Sequence, residues 1–338
     1  KVDLNVEVEE KSTGSFNIGV TVDSYSGASL GSGLQESNLF GDGRFASLSF
    51  NTSDDAAGIN IDIVEPYIFN KKINLLYNLN AQSKDFSNSS GYKIDTQTVG
   101  IGARYVFLEN LTHYIKLDYV IDEIHGVKSS ATDSIKNMSG DNIEYRFSNR
   151  LVYNNTDTLF RPSEGFVTKW FNKIAIDNYF LNRLTYDRYF NYEKKVLSFR
   201  SQIGNITSLA SGDVSDSNKF SLGGRNLRGF DRRGVGPRKS STAYIGGNNI
   251  ITSQIDYSIP ISESTTNLVD FVSFLDAGTV FDNDKQPTHS KESIRISTGL
   301  GINLNTAIGP LSFTYAVPLE SESYDKERKF VFSIGWVN

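Results

Sequence analysis

The chain has 338 residues and a net charge of −5, with 28 glycines, 17 tyrosines, 22 phenylalanines and no cysteine. That usage favours strands and turns over helices, and it excludes a disulfide framework, a thiolate metal site and a cysteine nucleophile. Mean hydropathy is −0.33, and no apolar run approaches the roughly 18 residues of a membrane helix. A membrane barrel evades that test, because lipid-facing and lumen-facing residues alternate along each strand.

Residues 1–14 alternate Val2, Leu4, Val6 and Val8 with Asp3, Asn5, Glu7 and Glu9. This strand is too acidic for a barrel wall and reads as the end of a preceding soluble domain, leaving 15–338 as the barrel. Period-2 alternation then dominates, without sustained 3.6 periodicity. Phe16, Ile18, Val20 and Val22 alternate with Asn17, Gly19, Thr21 and Asp23. Strands are predicted over 15–24, 28–37, 44–51, 57–64, 73–83, 97–107, 112–123, 142–154, 165–176, 180–192, 196–209, 249–259, 268–281, 294–305, 309–318 and 329–336. Their lengths of about 8–14 residues suit a tilted membrane strand, which needs about 9–11.

Alternation alone leaves a soluble sandwich and a membrane barrel even. The connections separate them. Short ones (108–111, 193–195, 306–308) lie among long ones (84–96, 124–141, 210–248, 282–293). Short turns at one end and long loops at the other mark an outer-membrane barrel. Aromatics near strand ends, such as Tyr67 and Phe69, Tyr105 and Phe107, or Tyr186, Tyr189, Phe190 and Tyr192, suit interface girdles. The expected fold is therefore an all-β, 16-stranded antiparallel transmembrane barrel.

Residues 223–238, GGRNLRGFDRRGVGPR, stand apart. Arg225, Arg228, Arg232, Arg233, Arg238 and the adjoining Lys239 face a single anion, Asp231. A basic, glycine-rich finger in an acidic chain fits a loop held inside a polar cavity. The chain lacks a phosphate loop and a dinucleotide fingerprint. His113, His125 and His289, placed on a turn and two loops, show no ligand spacing. The basic loop lacks the interleaved aromatics of a nucleic-acid site, so neither a cofactor nor nucleic acid is expected.

From about residue 15 onward the chain resembles the BamA family of outer-membrane assembly barrels. The likeness rests on Phe16 to Val22 with LQESNLFGDG (34–43), on FRPSEGF (160–166), on 221–237, and on FLDAGTVF (274–281) with GPLSFTYAVPL (309–319). It implies that Leu227, Arg228, Gly229 and Phe230 form the core of a lumen-inserted loop, with Arg228 latched by Asp256 and Asp276. Parity supports Asp256 independently, opposite Ile255 and Tyr257. Asp276 shares its parity with Val272 and Phe274, so its inward position rests more on the resemblance.

The resemblance also implies an openable seam between the first and last strands. Phe16, Asn17, Ile18, Gly19, Val20 and Thr21 lie on one side, and Phe332, Ile334, Gly335 and Trp336 on the other. Gly335 matches a family glycine that kinks the last strand, or serves only as a chain-end glycine. The ending Trp336-Val337-Asn338 departs from the family's usual terminal aromatic. The implied function is insertion and folding of client β-barrels in a bacterial outer membrane, without bond-making chemistry. The implied partners are unfolded clients, accessory lipoproteins, the lipid bilayer and preceding POTRA repeats, with the N-terminus in the periplasm. The alternatives are a secretion pore of the same superfamily and, further off, a passive porin.

Overall fold

The computed structural model describes Glu9 and residues 11–68, 71–263, 268–282, 292–306 and 309–335. Residues 1–8, Phe69, His289 and Trp336 lie outside the described residues, and so do the acidic strand and one seam position expected above. Among the described residues the first eleven strands are β1 (Gly14–Asp23), β2 (Gly27–Leu39), β3 (Arg44–Thr52), β4 (Ala56–Glu65), β5 (Ile73–Asp85), β6 (Lys93–Leu108), β7 (Leu111–His125), β8 (Gly140–Asn154), β9 (Gly165–Ala175), β10 (Tyr179–Tyr192) and β11 (Lys195–Ser208). The later barrel strands are β15 (Asn249–Glu263), β16 (Leu268–Phe281), β17 (Arg295–Thr306), β18 (Gly309–Glu320) and β20 (Phe330–Ile334). These sixteen close into one antiparallel barrel. The connections carry a short helix, α1 (Asp133–Asn137), and the two- or three-residue strands β12 (Gly229–Phe230), β13 (Arg238–Ser240), β14 (Ala243–Tyr244) and β19 (Glu327–Arg328).

All sixteen expected strands are present, with moved ends. The sixth begins at Lys93 and the last stops at Ile334. Gly335 takes φ +105°, a left-handed turn that ends the extended run. His113 and His125 lie within β7, correcting their assignment to a turn and a loop. His113 is tied to Tyr105 and Asn149, and His125 lies 3.2 Å from Asp95.

The apolar face of the alternation points outward. Phe16, Ile18 and Val20 on β1, Ile59 and Ile61 on β4, Leu79 on β5, Val99 and Ile101 on β6, and Leu117 on β7 are all exposed. So are Leu184, Ile203, Ile251, Leu300 and Ile302 around the other half. A water-soluble surface does not carry an apolar belt of this extent, whereas hydrocarbon accepts it. The opposite parity holds Asn17, Gly19, Thr21, Asn60, Asn78, Gly100 and Lys116, a polar and glycine-rich interior.

Buried apolar clusters form where connections meet this interior. Leu222, Leu227, Phe230 and Val235 pack with Ile250 and Val280 of β15 and β16. Val214 and Phe220 join Ala175, Tyr179, Leu181 and Ile206. Tyr92, Ile124, Ala131 and Ile135 make a third cluster, bordered by Phe86.

Closure is uneven around the barrel. Every residue of β1 is in register with β2. Against β20, only Val22–Ile334 and Asp23–Ser333 are in register among the described residues. Two bonds extend the contact: Ser24 N donates to Phe332 O at 3.0 Å, and Phe332 N donates to Ser24 Oγ at 2.8 Å.

Lipid exposure of the belt carries a measurable cost. Leu117→Arg at mid-strand is expected to lose about 2–4 kcal/mol, the depth-dependent cost of arginine on a barrel's lipid face. Denaturant-titrated folding into vesicles measures it, and an unchanged midpoint would place that face away from lipid.

Candidate functional site

The basic loop reaches the inner face of β15 to β18. Arg228 Nε donates to Asp276 Oδ2 at 2.8 Å, and its Nη2 donates to Asp276 Oδ1 at 2.6 Å. The same Nη2 lies 2.6 Å from Asp256 Oδ1. The Arg228 backbone joins in: its N–H donates to Asp276 Oδ2 at 2.9 Å, and its carbonyl accepts from Ser297 Oγ at 2.5 Å. The guanidinium carbon stands 3.7 Å from the centre of the Phe274 ring. A planar fork can satisfy two carboxylates and a ring face at once, which an ammonium cannot.

The flanking residues explain why the fork stays aimed. Leu227 and Phe230 are fully buried on either side of it. Gly229 sits at φ +91°, and a Cβ there would lie 3.3 Å from Ser297 Cβ and 3.4 Å from Ala316 Cβ. Glycine therefore permits both the turn and the close approach to the wall. Leu227, Arg228, Gly229, Phe230, Asp256 and Asp276 are thus brought together. Val272 and Phe274 share the inward parity of Asp276 because Phe274 stacks on the arginine. Ser297, Phe274 and Gln254, which donates to Asp276 Oδ2 at 3.2 Å, were not singled out from sequence. Only the inward parity of Ser297 hinted at a place for it.

The loop also spans the seam. On one side β12 pairs with β19, placing Gly229 opposite Arg328 and Phe230 opposite Glu327. Arg328 Nε donates to Asp231 Oδ1 at 3.1 Å, just before β20. On the other side Arg232 donates to Ser26 Oγ at 2.9 Å in the turn after β1. The Tyr25 ring lies 5.5 Å from the Arg232 guanidinium and 5.7 Å from that of Arg328. Burial pushes the Tyr25 phenol up to about 12, against the pull of Arg328. One loop therefore touches the turn after β1 and the segment before β20.

Of the seam positions, the structure pairs Ile334 with Val22 and bonds Phe332 to Ser24. Phe16, Asn17, Ile18, Gly19 and Val20 have register partners on β2 alone among the described residues, and Thr21 is in register with Ser29 of β2. A Cβ on Gly335 would run into the Val20 carbonyl oxygen, so any larger residue must displace β1 or β20. Behind the seam lies a cavity of about 340 Å³ lined by Arg225, Arg228, Phe274, Val331 and Ser333, among others.

Two further anchors lie away from the seam. Arg161, on the 160–166 turn at φ +54°, bridges both carboxylate oxygens of buried Asp270 on β16. At the opposite end Lys219 lies 2.5 Å from Asp282 and 3.4 Å from Asp216. Burial raises the Asp216 carboxyl above its ordinary range, opposed by its bonds to Thr132 and Lys219. Arg161–Asp270 and Lys219–Asp282 are not visible in sequence, because the partners lie 109 and 63 residues apart.

Removing the guanidinium strands a fully buried carboxylate. Arg228→Ala is expected to cost about 3–5 kcal/mol of loop anchoring, the penalty for breaking one side of a buried pair. Arg225→Ala, whose side chain has no ion pair among the described residues, is the reference change. Limited proteolysis of the 209–248 connection reports the difference, and equal protection of both variants would contradict the anchoring role.

Comparison with known proteins places this architecture. Residues 38–336 match the model of the Omp85 superfamily domain. The outer membrane protein assembly factor BamA of Nitratidesulfovibrio vulgaris is 26% identical over 352 residues, covering 99% of this chain and 43% of that protein. The crystal structure of BamA from Haemophilus ducreyi lacking POTRA domains 1–3 superposes with a TM-score of 0.87 at 25% identity, covering 97% of this chain and 70% of that one. CdiB from Acinetobacter baumannii shares the fold at a TM-score of 0.61 and 15% identity, over 96% and 60% of the two chains. The chain spans about half the length of the BamA relatives it matches, 43% to 48% of each. It belongs to the Omp85 superfamily, as an outer-membrane β-barrel domain of the BamA kind.

Proposed function

We propose that this barrel inserts and folds client β-barrels in the outer membrane, using the β1–β20 seam as the place where a client strand enters. The observation that carries this reading is the short register between β1 and β20 among the described residues, beside a β1 fully paired with β2. Unpaired backbone groups in hydrocarbon cost several kcal/mol each. A strand edge closed by so few pairs is therefore the cheapest place to exchange one partner for another, and an extended client segment can add to it by β-augmentation. The BamA relatives, described as assembly factors, support the same reading.

The loop supplies the control. Arg228, held by Asp256 and Asp276, latches the loop to the wall, while Arg232 and Arg328–Asp231 hold the turn and the strand beside the seam. Opening the seam then works against a fixed brace rather than a free loop. On this reading no bond-making chemistry and no cofactor are involved. The start of the chain follows a POTRA-type periplasmic domain, and accessory lipoproteins act mainly through such domains.

A covalent lock tests the seam directly. The chain has no cysteine, so Val22→Cys with Ile334→Cys places one pair at a registered position. Oxidation is expected to abolish assembly of a client barrel by the full-length protein in proteoliposomes, with reductant restoring it. Equal assembly by the oxidised and reduced forms would rule out an opening seam.

A further inference from the structure

A row of asparagines interrupts the outward belt. Asn149, Asn172, Asn182, Asn205 and Asn249 lie on five neighbouring strands, β8, β9, β10, β11 and β15, each in direct register with the next. All five share the parity of exposed apolar residues. The row on one side is Leu151, Trp170, Leu184, Ile203 and Ile251, and on the other side Phe147, Ile174 and Phe180. The asparagines therefore face lipid, between two apolar rows.

They are joined in one direction in two stretches, Asn149 to Asn182 and Asn205 to Asn249. Asn149 Nδ2 donates to Asn172 Oδ1 at 3.1 Å, and Asn172 Nδ2 donates to Asn182 Oδ1 at 2.6 Å. Asn205 Nδ2 donates to Asn249 Oδ1 at 2.8 Å, while Trp170 Nε1 donates to Asn182 Oδ1 at 2.8 Å. Beyond Asn149 the chain continues through His113 to the hydroxyl of Tyr105. Each asparagine has two N–H donors and gives at most one to the row, so the row as a whole is rich in donors.

The row also runs obliquely through much of the membrane's thickness. Its six strand-to-strand steps, at about 4.8 Å each, span roughly 29 Å. With strands tilted by about 35–45°, a line perpendicular to them rises through about 17–20 Å of a core about 30 Å thick. Tyr105 stands near the short turn after β6, and Asn249 opens β15 directly after the long 209–248 connection, so the two ends lie at opposite faces. An amide facing hydrocarbon is costly unless it bonds a polar group. The groups available along the outer wall are water and lipid headgroups, and a phosphodiester offers acceptors only.

We propose that this asparagine row is a track along which phospholipid headgroups pass between leaflets, giving the barrel a lipid-scrambling activity on the wall away from its seam. Donor N–H groups meet the phosphate oxygens in succession while the acyl chains stay in the bilayer beside the flanking apolar rows. No bond is made or broken, and no client protein is needed. The activity is therefore separable from assembly.

The test uses the protein in phosphatidylcholine vesicles carrying a trace of a fluorescent phosphatidylcholine, with dithionite bleaching the outer leaflet. The wild type is expected to bleach beyond the outer-leaflet half, faster than protein-free vesicles. Asn172→Leu with Asn182→Leu cuts the row at its centre and is expected to slow exchange roughly tenfold, equivalent to about 1.4 kcal/mol. Asn149→Leu alone should slow it less, and the inward-facing Gln202→Leu should leave it unchanged. Heat-modifiable gel migration checks that each variant is folded. Exchange by the folded double variant at the wild-type rate, or wild-type exchange no faster than in protein-free vesicles, would overturn the proposal.

Discussion

A strand in hydrocarbon must have its backbone polar groups paired, and a barrel meets that demand by closing on itself. Among the described residues the closure is uneven around the barrel. Fifteen of the sixteen junctions are extended ladders, whereas β1 meets β20 at two registered positions among the described residues. Gly335 takes φ +105° beside the Val20 carbonyl, directly after the last residue of β20.

Such a closure would leave the barrel loosely shut without help, and the basic loop is built to give it. Its arginines divide the task by position. Arg228 enters the wall opposite two carboxylates and a ring face, where desolvation makes each contact strong. Arg232 and Asp231 stay nearer the rim and reach the turn after β1 and the segment before β20. Arg233 turns the other way, stacking 3.7 Å from Phe86 and donating to Ser90 Oγ at 2.8 Å. A single loop thereby links wall, seam and outer connections. The high local positive charge is explained by the number of separate partners.

The wall was legible in the sequence because each strand writes its two environments alternately, and a lipid-facing residue is as apolar as a core residue. Phe16, Ile18 and Val20 announce β1, and Leu300 and Ile302 announce β17, without any long-range information. The latch was legible in part. Asp256 showed itself by standing opposite Ile255 and Tyr257, but Asp276 was masked by Phe274, whose apolar character suggests an outward face until the arginine stacked on it is known. Contacts such as Arg161–Asp270 and Arg328–Asp231 depend on where loops fold in space, and nothing local encodes them. The asparagine row was hidden for another reason. Each of its members is an ordinary polar residue on its own strand, and only the register aligns them.

The central claim is that an incoming strand pairs with the exposed edge of β1. Gly19 is the most favourable probe, since a Cβ there meets no atom within 4 Å, and Asn17 lies two residues along the same strand. A photoreactive residue at each position, in the full-length protein during delivery of an unfolded barrel, reports what lies beside that edge. The account predicts crosslinks to a terminal strand of the client at both sites. Capture of a soluble passenger near Arg228, with no client at Asn17 or Gly19, would contradict it and favour a secretion pore.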